Sequence, residues 1–251
     1  MGLQVSCGDV LEQTRQFPDN TFDAVFCDPP YGLGKTPDMT ELLTHWLNGK
    51  EYDTGGGFMG KTWDVVPGPA VWRELYRVAK PGAYLLAFGG TRTADLLSIA
   101  IRLAGWQRWD EIMYVFGSGF PKSYNIGNVV ESFAGYGSAL KPSFEPILCF
   151  RKTVDQTYAH NALAHGCGGL NIDECRVPIT DGATMARNNK PGDNGWKNSS
   201  GGANHAALHG EPAGRWPANL LTGYPEDEYM LRSDITAEQK IELYNWMAEN
   251  T

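Results

Sequence analysis

Residues 22–32 read FDAVFCDPPYG, and the fold class turns on how this stretch is read. Phe22–Cys27 is a short apolar run with the turn residues Pro18, Asp19 and Asn20 in front of it, the pattern of a buried strand. The next residues cannot extend it. Pro29 and Pro30 lack an N–H, fix their own φ and force extended geometry on the residue before each. A strand that runs into Asp28, Pro29, Pro30 and Tyr31 therefore ends in a stiff corner. In an open α/β sheet, ligands collect beyond the carboxyl ends of strands, which is where this corner would sit.

Working outward, further apolar runs bounded by turn residues read as strands at Leu3–Ser6, Ala83–Phe88, Ile112–Phe116, Pro146–Phe150 and Pro217–Leu221. Helical patterns alternate with them. Residues 69–79, PAVWRELYRVA, place Pro69 at a first helical position and stop at KPG. Residues 91–104 set Leu96, Leu97, Ile99, Ala100 and Leu103 on one stripe, with Gly105 as the stop. A short helix over 40–48 and a closing amphipathic helix over 234–249, capped by Asp234, complete the set. Strands alternating with helices of this length indicate an α/β sheet covered by helices on both faces.

The corner has a chemistry of its own. It fixes the Asp28 carboxylate, the Pro29 carbonyl and the Tyr31 ring relative to one another. Two acceptors side by side suit an –NH2 group with two hydrogens to donate, and the tyrosine offers a flat face for a planar ring. That combination describes a pocket for a flipped-out nucleobase. The plainer alternative is a turn that ends a strand, with Asp28 capping a neighbouring segment.

Composition bounds the rest. At 251 residues, 42% hydrophobic and 12% aromatic, the chain suffices for one large core with an inserted lobe. No run approaches a membrane span and no basic-then-apolar leader opens the sequence, so a cytoplasmic protein is expected. Five scattered cysteines argue against a disulfide framework. His160, His165, Cys167 and Cys175 lie close in sequence but lack paired zinc-type spacing, so no metal is expected. The net charge of −8 speaks against nucleic acid, yet its distribution softens this. Residues 224–251 hold seven acids against two bases, whereas 176–216 hold five bases against three acids.

The segment GDVLEQTRQFPDNTFDAVFCDPPYG resembles the opening of DNA amino-methyltransferases that use S-adenosylmethionine. It is most similar to the circularly permuted beta-type group of phage and prophage adenine methyltransferases. The similarity continues through FMGKTWD, VWRELYRVAKPGAYLLAFGGTRT, GSGFPKS, ALKPSFEPIL, GGLNIDECRV and GRWPANLL, spanning most of residues 5–221. It implies a Rossmann-like methyltransferase sheet, permuted and either complete or incomplete, with double-stranded DNA as partner and a role in DNA methylation such as restriction–modification. It further implies that Asp28, Pro29, Pro30 and Tyr31 form the catalytic corner, Asp rather than Ser at position 28 favouring adenine N6 over cytosine N4. Gly8, Asp9, Cys27 and Asp28 fall on its donor side; Asp9 can equally cap a helix starting at Val10.

One family element is missing. The glycine-rich Phe-x-Gly-x-Gly donor loop, which in permuted members follows the RWPANLL block, is replaced here by TGYPEDEYM and an acidic tail. FGSGF at 116–120 and FGGTRT at 88–93 imitate it but align with other blocks. The alternative to a self-sufficient enzyme is therefore a non-catalytic or split-site subunit that binds DNA or a partner, with a second chain or a homodimer completing the donor site. Methylation of RNA or of a protein amide is a third option. The expected organisation is a catalytic domain over 1–152 and 216–251, with 153–215 as an inserted loop-rich DNA-recognition segment, of which 181–215 is rich in Gly, Asn, Ser and His. Lys122, Lys141, Trp196, Lys197 and Arg215 are the candidate DNA contacts, with ordinary solvated charge the plain reading for the basic ones.

Overall fold

The structure is a computed structural model that describes residues 3, 5–53, 55, 57, 60–116, 123–177, 216–223 and 236. The chain divides into two units: 1–169 with 219–228 and 251, and 170–218 with 229–250. In the second, the described residues form a short 3-10 turn at Asp173–Cys175, where Arg176 pairs with Asp173 at 2.8 Å and lies over the Trp216 ring.

The first unit is built on a five-stranded mixed sheet. Its elements run α1 (Val10–Thr14), β1 (Phe22–Cys27), α2 (Met39–Leu47), α3 (Pro69–Val78), β2 (Ala79–Phe88), α4 (Ala94–Leu103), β3 (Gln107–Phe116), β4 (Phe144–Arg151), α5 (Tyr158–His165) and β5 (Leu220–Gly223). The spatial order is β1-β2-β4-β3-β5. β1 and β2 are parallel, as the intervening helices require, and β5 runs parallel to β3. β4 is antiparallel to both of its neighbours, β2 and β3. The α/β pattern alone suggests parallel pairing throughout. Among the described residues, the β3–β4 connection holds only short 3-10 turns at Ile126–Asn128 and Glu131–Phe133, and without a crossover helix the chain returns antiparallel.

Alternation along the strands sends Leu85, Ala87, Leu148 and Phe150 to one face, where they pack against Trp72 and Leu75 of α3 and Leu96, Leu97, Ala100 and Ile101 of α4. α3 begins as expected, with Pro69 in its first turn, and buries Trp72, Leu75 and Val78 along one stripe. Its Trp72 is held at both ends: the indole N–H donates to the Pro67 carbonyl at 3.0 Å, and the backbone carbonyl accepts from the Trp106 indole at 2.9 Å. α5 is fastened by Asn161, which is fully buried; its amide donates to the Pro81 and Cys167 carbonyls and accepts from Asp155 N–H.

Among the described residues of the stretch Leu3–Ser6, the expected strand does not form. Leu3 and Val5 are 92% and 81% exposed, and no described residue pairs with this stretch. An apolar run becomes a strand only where a neighbour accepts its N–H and C=O groups, and pattern alone cannot supply one. The helix expected over 234–249 lies outside the described residues apart from Thr236. Among the described residues, no helix is long and apolar enough to cross a membrane.

Candidate active site

β1 stops at Cys27, as its prolines dictate, and the chain turns at Asp28 to Leu33 along the ends of the other elements. Four contacts fix this turn. The Thr93 hydroxyl donates to the Tyr31 carbonyl at 2.6 Å. The Gly32 and Leu33 amides donate to the two oxygens of the Asp64 carboxylate, each at 3.1 Å. Gly32 has φ +64°, and a Cβ there would come within 2.9 Å of Val66 Cγ2, so only glycine fits. Gly90 packs against the Tyr31 ring, where an added Cβ would lie 3.3 Å from Cδ2.

Asp28 itself is exposed, and among the described residues no lysine or arginine forms an ion pair with it. The Tyr31 side chain is half-buried, and the Asp28 and Glu145 carboxylates are its acidic neighbours. Burial and these two acids hold the Tyr31 proton well above the ordinary phenol range, so the hydroxyl is a permanent donor. Burial raises the Glu145 carboxyl, helped by the Asp28 charge and opposed by the hydrogen bond from Tyr31. The Cys27 thiol is pushed up to about 12 by burial and by Asp28, which leaves it a packed apolar group and not a nucleophile.

Beside the corner lies a cavity of about 550 Å³. Its walls come from the start of α1, residues 27–37, the inner sides of α2 and α3, and the start of α4. Apolar side chains such as Leu42, Trp46, Val71 and Trp72 line most of it. The charged lining is one-sided: Asp9, Asp28, Glu51 and Asp64 against Lys35. Such a cavity suits a flat organic ligand that carries positive charge.

Residues 22–226 match the DNA methylase family of N6 and N4 type. The chain belongs to this family. The match covers β1, the corner, the sheet and the segment up to β5. A search of curated proteins found no match. Among solved structures, the chain is similar to a protein described as a DNA modification methylase from Thermus thermophilus, complexed with S-adenosyl-L-methionine. The identity is 20%, the alignment covers 60% of this chain and 55% of that one, and the TM-score is 0.37. The M1.HpyAVI–SAM complex matches at 12% identity over 62% and 57%, TM-score 0.33. The cytosine-N4-specific PvuII DNA methyltransferase matches at 14% over 61% and 50%, TM-score 0.36. The chain thus spans little more than half the length of the solved structures it matches.

In this family member, the structure brings Asp9, Cys27, Asp28, Pro29 and Pro30 to one cavity, with the Tyr31 ring packed on Gly90 beside it. Asp9 caps α1 through Oδ1, accepting from Leu11 and Glu12 amides at 2.9 and 3.2 Å, while also lining the cavity. Gly8 precedes it but is not part of the lining. Lys141 is half-buried and away from these walls. Lys122, Trp196, Lys197 and Arg215, together with Gly117 and Gly119 of the first loop mimic, lie outside the described residues. Gly89 and Gly90 of the second mimic form the turn between β2 and α4 that supports Tyr31. Among the described residues, no group of His, Cys, Asp and Glu is arranged to hold a metal ion. Sequence reasoning left Asp64, Thr93 and Glu145 without roles, although Asp64 closes the FMGKTWD block and Glu145 sits inside ALKPSFEPIL.

Proposed function

We propose that this methylase transfers a methyl group from S-adenosylmethionine to the N6 amine of an adenine flipped out of double-stranded DNA. The observation that carries the reading is the corner: an exposed Asp28 carboxylate without a cationic partner among the described residues, held beside an acid-lined cavity by four contacts.

The amine of adenine is a poor nucleophile because its lone pair is delocalised into the ring. Asp28 and the Pro29 carbonyl accept its two hydrogens, draw the nitrogen towards tetrahedral geometry and localise that pair. Tyr31 stacks the base and, tied at its carbonyl and its ring, keeps it in line. When bound against Asp9 and Cys27, S-adenosylmethionine would supply an electrophilic sulfonium methyl, its S–C bonding pair going to sulfur as the nitrogen pair forms the N–C bond. The cavity's volume falls in the range of small-molecule sites, about 300–1,000 Å³, and its excess of carboxylates fits a cationic ligand. Asp9 and Cys27 belong to that side, with Gly8 behind Asp9. Asp28 rather than Ser favours adenine over cytosine. Lys122, Lys141, Trp196, Lys197 and Arg215 are proposed DNA contacts, with 153–215 as the recognition segment.

A second reading, a donor site completed by another chain, draws on the exposure of Leu3 and Val5 just before Asp9, which leaves an apolar segment unpartnered among the described residues. The deciding experiment incubates the full chain with tritiated donor and mixed-sequence duplex, then digests the DNA to nucleosides. Label on N6-methyl-2′-deoxyadenosine that disappears with Asp28→Ala supports the proposal; label retained in that variant overturns it.

A further inference from the structure

We propose that the excursion between β3 and β4, residues 123–140, enters the duplex where the target base leaves it, its apolar tip filling the gap. The inference rests on the function proposed above for its ligand, duplex DNA, and gives a role to a further part of the chain.

The excursion leaves the sheet at the end where the corner stands. Phe116, the last residue of β3, donates its amide to the Ser143 carbonyl at 3.0 Å, and Pro146 of β4 accepts the Gly89 amide at 2.9 Å. Gly90, the next residue, packs against the Tyr31 ring. The strand that closes the excursion is thus tied to the turn that supports the proposed base-stacking tyrosine.

Internal hydrogen bonds shape the excursion into a finger. The Ser123 hydroxyl oxygen accepts from the Ser138 amide at 3.0 Å, and the Ser138 hydroxyl oxygen accepts from the Tyr124 amide at 2.8 Å. Asn125 bridges to Gly137, and the Ile126 amide donates to the Tyr136 carbonyl at 3.0 Å. At Gly127 the two limbs touch, since a Cβ there would lie 2.8 Å from Ala134 Cα. The 3-10 turns at Ile126–Asn128 and Glu131–Phe133 complete the tip.

A finger that satisfies its own backbone has no folding need for apolar side chains, yet it displays them. Val129 is 72% exposed, and Val130, Phe133 and Tyr136 are exposed with it, the last two with rings 5.3 Å apart. Such a patch marks a surface that a partner covers. Charge selects the partner. In a chain of net charge −8, residues 122–141 carry Lys122 and Lys141 at the two roots and a single acid, Glu131, between them. Cations at the root and apolar groups at the tip match a duplex, which is anionic outside and apolar between its stacked bases. Proteins that part a base step insert apolar side chains into it. Extruding a base costs its stacking and pairing, and contacts in the space it leaves offset that cost.

The test mixes the full chain, without donor, with a mixed-sequence duplex in which 2-aminopurine replaces adenine, a base that brightens when it leaves the stack. The native protein should raise the fluorescence, and Val129→Ser/Phe133→Ala should lose that rise while still binding the duplex by anisotropy. Its melting temperature should stay native, because both side chains are exposed. In single-turnover transfer this variant should fall about tenfold or more on paired DNA. On DNA whose adenines face mismatched bases it should recover most of that loss, because pairing no longer resists extrusion. No rise with the native protein, an equal rise in both, or an equal loss of transfer on paired and mismatched DNA overturns the proposal. So does a native dimer in sedimentation that the variant splits, which would give the patch to a second copy. Transfer that survives Asp28→Ala removes the parent reading and leaves the fluorescence result to decide the finger.

Discussion

Asp64→Ala tests whether the corner is held from outside. Asp64 is 6% exposed and spends both carboxylate oxygens on the Gly32 and Leu33 amides at 3.1 Å. Hydrogen bonds to a charged acceptor contribute about 1.5–3 kcal/mol each, so two set an upper bound of about 6 kcal/mol. The corner can open and hydrate the freed amides, which returns part of this, and about 2–4 kcal/mol of lost stability is the expected result. Asp64→Asn keeps one acceptor and should lose about half as much. Urea unfolding followed by tryptophan fluorescence gives both values. Methyl transfer should fall as well, because the chain just after Tyr31 loses the two bonds that fix Gly32 and Leu33. Unchanged unfolding midpoints in both variants, with native transfer rates, would refute the claim that Asp64 preorganises the corner.

Gly90→Ala adds a methyl 3.3 Å from the Tyr31 ring and 3.4 Å from the Thr93 hydroxyl; transfer should drop by about three- to tenfold with little change in melting temperature, and an equal loss of both would point to a core role instead. Trp72→Ala removes a side chain 1% exposed and hydrogen-bonded to Pro67, for an expected loss of about 3–5 kcal/mol by urea titration; a loss under about 1 kcal/mol would contradict its central place in the core. Iodoacetamide at pH 8 should label the exposed Cys7 and Cys175 and spare Cys27 and Cys149, whose thiols are pushed up to about 12 and about 11. Reactivity appears only as pH rises towards those values. Peptide mass spectrometry checks this, and equal labelling of Cys27 and Cys7 would show that the corner is open.

Much of the fold is legible because local and global preferences agree. Phe22–Cys27 ends where its prolines say, and Pro69 starts α3 where its missing N–H is harmless. Partnership is what pattern does not show. Leu3–Ser6 has the apolar content of a strand but no described neighbour, and Phe144–Arg151 gives no sign in its letters that it will run antiparallel. α5 escaped notice because its burial concentrates on a polar residue, Asn161, whose three hydrogen bonds come from loop geometry. At the site, Asp28 to Tyr31 announce themselves through local stiffness. Asp64 reaches Gly32 across 32 residues of chain, and Glu145 comes near Tyr31 across 114, separations that only the fold closes. Both nevertheless stand inside blocks that carry the family resemblance.

The proposed transfer depends on one grip, that of Asp28 and Pro29 on an exocyclic amine. A crystal structure of the full chain with duplex DNA and a non-reactive donor analogue tests it most directly. The expected result is an everted adenine stacked on Tyr31, its N6 at about 2.7–3.2 Å from both the Asp28 carboxylate and the Pro29 carbonyl. A base left in the duplex with Asp28 at the protein–DNA boundary, or an N6 beyond hydrogen-bonding distance from both acceptors, would contradict it.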